Sequence, residues 1–380
     1  MSNLVNIRIG WKDNMNKKNV LLISHFPPPA TGIGSWTKRV LELGLPDNWN
    51  IHFINSNTIN GRDPFRNTKR SIKDEYIRTK KIYTQEKKIL KENTIDVVHT
   101  CIPCTPLGML RERLFANLAS KYNVPFILHC RCTVSNVINK WWKKIIFQYL
   151  LKKCKGVMVL NTKSYEFVKS LNYKGQIEII PNFVDSKELM APKEKKEVKD
   201  IYYVGGVTME KGAHLIIESA SEFPNINFHL IGNVESKIEQ MDKPNNVILY
   251  GMQNRDFVNE ELKKADVFLF LSQYWGEGFS NALVEAMAKG IPCIVTDWAA
   301  NKDMIEDKGG IVLKERTSKE LSESINSLIT DPSLLESYSL WNIEKVKSSY
   351  IDEIVLKRYT EFYDEIIEGR RNIYANFKKN

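Results

Sequence analysis

No apolar run in this 380-residue chain approaches the ~20 residues that a helix needs to cross a bilayer. The longest, such as Val267–Leu271 and the segment around Ile294–Val295, are of strand length. The stretch Met1–Asn19 is polar and charged and lacks the apolar core of a secretory signal, so a cytoplasmic protein is expected. Cysteine is scarce as well, and six residues cannot make the disulfide framework of a small secreted domain. A composition of 43% apolar and 26% charged residues excludes a disordered or fibrous chain. A chain of this length has room for two cores.

Acidic residues are short in the first half only. Residues 1–185 hold 30 Lys and Arg against 13 Asp and Glu, whereas residues 186–380 hold 25 against 32. Such a split suits a basic half facing a membrane surface, a phosphorylated lipid or nucleic acid. Solvated helix faces explain it equally, the Lys/Arg-rich stretch Arg62–Lys91 among them. No recognition motif accompanies the charge, so nucleic acid is not expected as a partner. Two cysteine pairs, Cys101/Cys104 and Cys130/Cys132, could in principle complete a tetrahedral zinc site. They lie in or beside apolar strands rather than on knuckle turns, which favours small buried side chains, and no metal is expected.

What is present is an alternation of short apolar runs with helical periodicity. Val20–Ser24 reads as a strand, broken by a Pro/Gly-rich turn that ends Gly32-Ile-Gly34. A helix over Ser35–Leu45 follows, with Ser35 as its N-cap. Further strands are predicted at Ile51–Asn55, Ile95–Thr100 and Pro125–His129. After a polar linker, Ala191–Asp200, the same grammar restarts with strand Ile201–Val204, a glycine turn and helix Lys211–Glu222. Strands Asn227–Ile231, Asn246–Tyr250, Val267–Ser272 and Cys293–Thr296 follow, with a helix over Asn281–Lys289 that stops at Gly290. Ser333–Lys379 is helical by periodicity. This pattern predicts α/β architecture: two doubly wound, Rossmann-like domains across a cleft. The expected division is 1–185, 186–350 and a terminal helix, 351–380, that packs back on the first domain.

Two turns carry the chemistry. In Gly276-Glu-Gly-Phe-Ser-Asn-Ala-Leu-Val-Glu285, Ser280 can cap a helix whose first amides, Asn281 to Leu283, point toward the loop and favour an anion. Glu285, one turn in, can accept hydrogen bonds from vicinal hydroxyls. In Val204-Gly-Gly-Val-Thr-Met-Glu-Lys-Gly212, Gly205 and Gly206 permit close backbone approach, and Lys211 at the helix start can meet a phosphate. A third feature is Lys140–Lys155, where apolar residues at 141, 142, 145, 146, 149 and 150 fill one face between lysines. That pattern fits an interfacial helix on anionic lipid and fits a helix packed on a sheet.

The run Ile201–Leu313 resembles the donor domain of glycosyltransferase family 4, retaining enzymes of GT-B fold. The resemblance rests on Glu277-x7-Glu285 followed by Ala286–Pro292, on Pro181–Asp185 and on the Val204–Gly212 turn. It extends loosely to the first half through Gly32-Ile-Gly34 and His129. It implies that Glu277 contacts the donor sugar and Glu285 the ribose. The amides of Phe279, Ser280 and Asn281 and the Lys211 ammonium would hold the diphosphate. Gly34 would border donor and acceptor, and His129 would stand near the transferred sugar. Glu277, His129 and Lys211 would thus be the catalytic set. The implied activity is retaining, metal-independent transfer from a nucleotide-sugar, a co-substrate rather than a cofactor, to a glycan or lipid-linked glycan. A place in cell-surface polysaccharide or glycolipid synthesis follows, on the inner face of the membrane. The sequence departs from the family at Gly206, where an Arg is common, at Trp298–Asp303, a turn that is usually Gly-rich, and at Asn161, where Ser is common. A non-catalytic donor-binding relative and a nucleotide-sugar epimerase of the same fold remain as alternatives.

Overall fold

The structure, a computed structural model, describes residues 17–28, 31–46, 48–57, 71–192 and 197–369. Most of Met1–Asn19, the start of the Arg62–Lys91 stretch, the centre of the 191–200 linker and the tail after Gly369 lie outside the described residues.

Each half of the chain forms one six-stranded, fully parallel sheet. The first contains β1 (Lys18–Ser24), β2 (Trp49–Asn55), β3 (Val97–Ile102), β4 (Phe126–Cys130), β5 (Gly156–Val159) and β6 (Gln176–Ile179). Its strand order is β2-β1-β3-β4-β5-β6. The crossovers are α1 (Gly32–Leu43), α2 (Ile72–Glu92), α3 (Pro106–Lys121), α4 (Val134–Val137), α5 (Trp141–Leu151) and α6 (Thr162–Ser170). Every residue of β3 and β4 is buried, as expected of strands covered on both faces.

The second sheet contains β7 (Asp200–Val204), β8 (Asn227–Ile231), β9 (Val247–Gly251), β10 (Val267–Phe270), β11 (Cys293–Thr296) and β12 (Gly310–Leu313). Its helices are α7 (Ala213–Ala220), α8 (Ser236–Glu239), α9 (Arg255–Leu262), α10 (Asn281–Met287), α11 (Asn301–Ile305) and α12 (Ser318–Thr330). The order β12-β11-β10-β7-β8-β9 reverses direction between β7 and β10. In open α/β sheets, ligands bind in the crevice at such a reversal, beyond the carboxyl ends of the strands.

The terminal helical segment is not continuous. It comprises α13 (Pro332–Ser349) and α14 (Asp352–Glu368), broken because Tyr350 and Asp352 pair instead with the segment that joins the two halves. The Val184 amide donates to Tyr350 O at 2.9 Å and the Asp352 amide to Val184 O at 2.9 Å. Beyond this break α14 returns to the first sheet. Val355, Tyr359, Phe362 and Tyr363 join Val20, Leu22, Trp36 and Ile127 in one buried cluster. Helices α2, α3 and α5 cover the opposite face, over Leu21, Ile23, Val98 and Leu128.

Two helix starts differ from expectation. Thr31, not Ser35, caps α1: its Oγ1 accepts from the Gly34 amide at 3.0 Å, which draws Gly32 and Gly34 into the first turn. Helix α7 begins at Ala213, because Gly212 adopts the left-handed region (φ +85°). A Cβ at Gly212 would lie 2.7 Å from Leu271 Cβ, so the position tolerates no side chain, and Lys211 stands in the loop rather than on the helix. Helix α10 ends at Met287, two residues before the expected Lys289, and Gly290 (φ +65°) closes the turn that follows, its amide donating to Met287 O at 2.9 Å.

Candidate functional site

The glycine turn and the glutamate loop follow β7 and β10, the two strands between which the second sheet reverses, and so meet at its crevice. Lys211 Nζ lies 3.1 Å from Glu277 Oε2, beside the rings of Tyr274 and Phe270. Ser272 Oγ donates to the same oxygen at 3.2 Å. Gly205 is close-packed: a Cβ at Gly232 would fall 1.7 Å from Gly205 O. Arg316, which no sequence pattern singled out, ties the two loops together. It donates from Nε to Leu271 O at 2.9 Å, and from Nη2 to the Met209 and Glu210 carbonyls at 3.0 Å each. The Trp298 indole donates to Tyr274 O at 2.8 Å, so the departing turn after β11 braces the glutamate loop from its other side.

Ser280 caps α10 through its Oγ, which accepts from the Leu283 amide at 3.2 Å. That bond corrects the expectation of three free amides. Leu283 is occupied, and among the described residues the free donors of the first turn are those ahead of it.

The first half of the chain grips this loop along its length. Thr133 donates from both its amide (2.9 Å) and its Oγ1 (2.8 Å) to Glu277 O. Asn161 Nδ2 donates to Gly278 O at 3.0 Å, and Asn182 Nδ2 to Phe279 O at 2.9 Å. Asn281 Nδ2 reaches Gly32 O at 3.4 Å, which brings the Gly32-Ile-Gly34 turn against the glutamate loop. Asn161 caps α6 through its Oδ1 while its amide spans the interface, which a Ser hydroxyl would be too short to do. Gly278 is needed for the same contact, since a Cβ there would lie 2.6 Å from Leu160 Cδ1 and 3.1 Å from Cys132 Cα.

Glu285 does not stand alone. Arg39 of α1, a buried residue, donates from Nη2 to Glu285 Oε1 at 2.8 Å and from Nη1 to Phe183 O. Glu188 approaches the same guanidinium at 3.9 Å and Arg255 at 2.5 Å. Burial lowers the pKa of the nearby Lys289 amine, opposed by the Glu188 and Glu285 carboxylates.

His129 is where sequence reasoning and geometry part. Its ring has no exposed surface and lies among Trp36, His99 and Tyr359. Arg131 Nη1 is 3.1 Å from His129 Nε2, His129 Nδ1 is 3.1 Å from His99 Nε2, and His99 Nδ1 is 2.6 Å from Tyr363 OH. A guanidinium can only donate, so His129 Nε2 accepts; its Nδ1–H then donates to His99, and His99 donates to Tyr363. Both rings are neutral in this chain of bonds. Burial, aided by Arg131, lowers the pKa of His129 and takes that of His99 to about 3. Arg131, two residues along the strand end, faces the glutamate loop instead. Its Nη2 donates to Asn182 Oδ1 at 2.5 Å, and Asn182 in turn holds Phe279 O.

Among the described residues, His99, Cys101 and His129 form a cluster of metal-ligand type, with Cys101 Sγ 3.7 and 3.9 Å from the ring nitrogens. The proton count does not fit a metal. Arg131 occupies His129 Nε2, so Nδ1 carries the hydrogen and cannot ligate, and burial pushes the Cys101 thiol up to about 12. The four cysteines considered for zinc do not converge: Cys101 faces one layer of the core, and Cys104, Cys130 and Cys132 the other.

Residues 185–341 match the family described as Glycosyl transferases group 1. The capsular polysaccharide biosynthesis glycosyltransferase CapM of Staphylococcus aureus is 26% identical over 182 residues, 44% of this chain and 46% of that protein. This chain thus spans about half the length of that relative. The Escherichia coli UDP-Gal:alpha-D-GlcNAc-diphosphoundecaprenol alpha-1,3-galactosyltransferase is 27% identical over 319 residues, 71% of this chain and 79% of that one. Among solved structures, sucrose-phosphate synthase from Thermosynechococcus elongatus superposes with a TM-score of 0.74 at 14% identity, covering 93% of this chain and all of the other. The chain therefore has the two-domain α/β fold of GT-B glycosyltransferases, and its second half matches the group 1 glycosyl transferase family.

Proposed function

We propose that this protein is a retaining glycosyltransferase that moves a sugar from a nucleotide-sugar to a glycan or lipid-linked glycan, without a metal, on the inner face of a membrane. The observation that carries the reading is the meeting of Lys211 and the Glu277–Glu285 loop at the strand reversal, with the Gly205–Gly206 turn beside them. The named activities of CapM and of the galactosyltransferase support the class of acceptor.

The reaction breaks the bond between the anomeric carbon and a phosphate oxygen and forms one to an acceptor hydroxyl, whose proton leaves with the diphosphate. In the structure Lys211 is neutralised by Glu277. An arriving diphosphate competes for that ammonium and frees the Glu277 carboxylate for hydroxyls of the sugar. The amides of Phe279, Ser280 and Asn281 share the charge, while Glu285, held at Oε1 by Arg39, offers Oε2 to the ribose diol. Fixed donors of this kind are most effective in a site from which water is excluded. His129 acts through Arg131 rather than on the sugar: the relay fixes Arg131, and Arg131 fixes Asn182 and the loop.

A thermal-shift screen of nucleoside diphosphates and nucleotide-sugars tests the donor, because a ligand of the folded state raises its melting temperature. Lys211→Ala is expected to raise the barrier to transfer by about 2–4 kcal/mol. Activity is expected to persist in chelator. Loss in chelator with rescue by magnesium would refute metal independence. Binding of nucleotide-sugars with neither transfer nor hydrolysis would select a non-catalytic, donor-binding protein, the reading that Gly206 favours by replacing a phosphate-site Arg.

A further inference from the structure

Helix α5 splits its apolar residues between two faces. Phe147, Leu150 and Leu151 are buried on the sheet, while Trp141, Ile145 and Tyr149 are exposed, Trp141 by 74%. The neighbouring helix α3 does the same: Leu107, Leu110 and Leu114 form a stripe at i, i+3, i+7 on its outer side, with Leu107 67% exposed. The helices pack side by side, and Arg113 of α3 stacks 4.0 Å over the Tyr149 ring, so the two stripes make one continuous surface. Contiguous exposed apolar surface of this kind marks an interaction site.

The rim decides the partner. Residues 113–165 contain ten Lys and Arg, of which Arg131 is interior, and no Asp or Glu. Lys140, Lys144, Lys152 and Lys153 are exposed around α5. A second copy of this chain would bring two such rims together and repel. Anionic lipid headgroups complement them while the acyl boundary takes the tryptophan and leucines. Position agrees: α3 and α5 begin beyond the carboxyl ends of β3 and β4, so Leu107 and Trp141 lie at the edge of the sheet that faces the glutamate loop.

We propose that the outer faces of α3 and α5 together form a docking surface for an anionic bilayer, holding the crevice at the level of the headgroups. The inference deepens the transferase reading and rests on it for the use of the surface, though not for its geometry. Sedimentation with vesicles of equal parts phosphatidylglycerol and phosphatidylcholine, against phosphatidylcholine alone, tests it. The full chain is expected to pellet with the anionic vesicles only, and less at high salt. Each basic side chain near such a surface is worth about a five-fold gain in partitioning, so Lys140→Glu/Lys144→Glu/Lys152→Glu should reduce binding more than tenfold. Leu110→Ser/Trp141→Ser should reduce it similarly at unchanged charge, with the nucleotide-induced melting shift intact in both variants. No pelleting of the wild type at low salt, or no loss in the variants, would overturn the proposal. So would a concentration-dependent dimer abolished by Leu110→Ser/Trp141→Ser, which would assign the face to a second copy. Absence of any nucleotide shift in a protein that still binds vesicles would instead count against the transferase reading alone.

Discussion

Arg39 is the residue where the contact between the two halves and the proposed nucleotide site coincide. It lies in a helix of the first half, yet its guanidinium bonds Glu285 at 2.8 Å and the Phe183 carbonyl of the connecting segment. Removing one member of a largely buried ion pair leaves the other charge uncompensated. Arg39→Ala is expected to cost up to about 3 kcal/mol in a denaturant melt. It should weaken nucleoside diphosphate binding as well, because Glu285 loses the group that orients it. A double-mutant cycle with Glu285→Ala separates the two effects; full additivity would mean that the contact carries no energy. Neither effect is legible in the sequence. The Glu277-x7-Glu285 spacing marked the loop, but nothing in Lys38-Arg39-Val40 says that this Arg crosses to it. His129 illustrates the converse. Its place at a strand end was readable, whereas which residue of the alternation faces the loop depended on the packing of Trp36 and Tyr359 around it.

At the scale of elements, the contact of α2 with α3 contains a carboxyl that the fold keeps protonated. Both oxygens of Glu86 are buried without a hydrogen-bond partner among the described residues, and burial together with Glu112 pushes its pKa up to about 9. A folded-state value raised above the unfolded one favours the fold fully below about pH 4.5, and that contribution is lost as pH rises toward 9. Glu86→Gln is therefore expected to stabilise the protein by about 1–3 kcal/mol at pH 7, with the gain growing toward pH 9 and vanishing near pH 4. Thermal melts of both proteins across that range check the sign. A gain that does not change with pH would mean that Glu86 is not protonated in the fold. Strands and helices themselves were largely readable, because runs such as Val267–Phe270 and caps such as Ser280 act locally. The starts of α1 and α7 were not, since Thr31 and the left-handed Gly212 are selected by what packs on them.

At the scale of the whole molecule, α14 makes the first half dependent on the end of the chain. Its Tyr359, Phe362 and Tyr363 cover β1 and β3, Arg358 bonds Glu178 at 2.7 Å, and Tyr363 closes the histidine relay. Ending the chain after Ile351 should expose the apolar layer around Val20, Leu22 and Trp36, and the first half should lose its cooperative melt. Circular dichroism of the truncated protein is the measurement; an unchanged melting profile would show that α14 is dispensable.

The sequence alone determined the parallel α/β class, the restart of the strand–turn–helix grammar after the linker, and the two turns that bear Lys211, Glu277 and Glu285. Each of these is written in residues close together in the chain, where periodicity, caps and glycines act over a few positions. Tertiary structure alone decided that the two turns flank a strand reversal, that Arg39, Thr133, Asn161 and Asn182 hold the glutamate loop, and that His129 is interior. The contacts that hold the loop join residues 97 to 246 positions apart. Their energy comes from burial and hydrogen bonds between separate elements, for which local pattern carries no record.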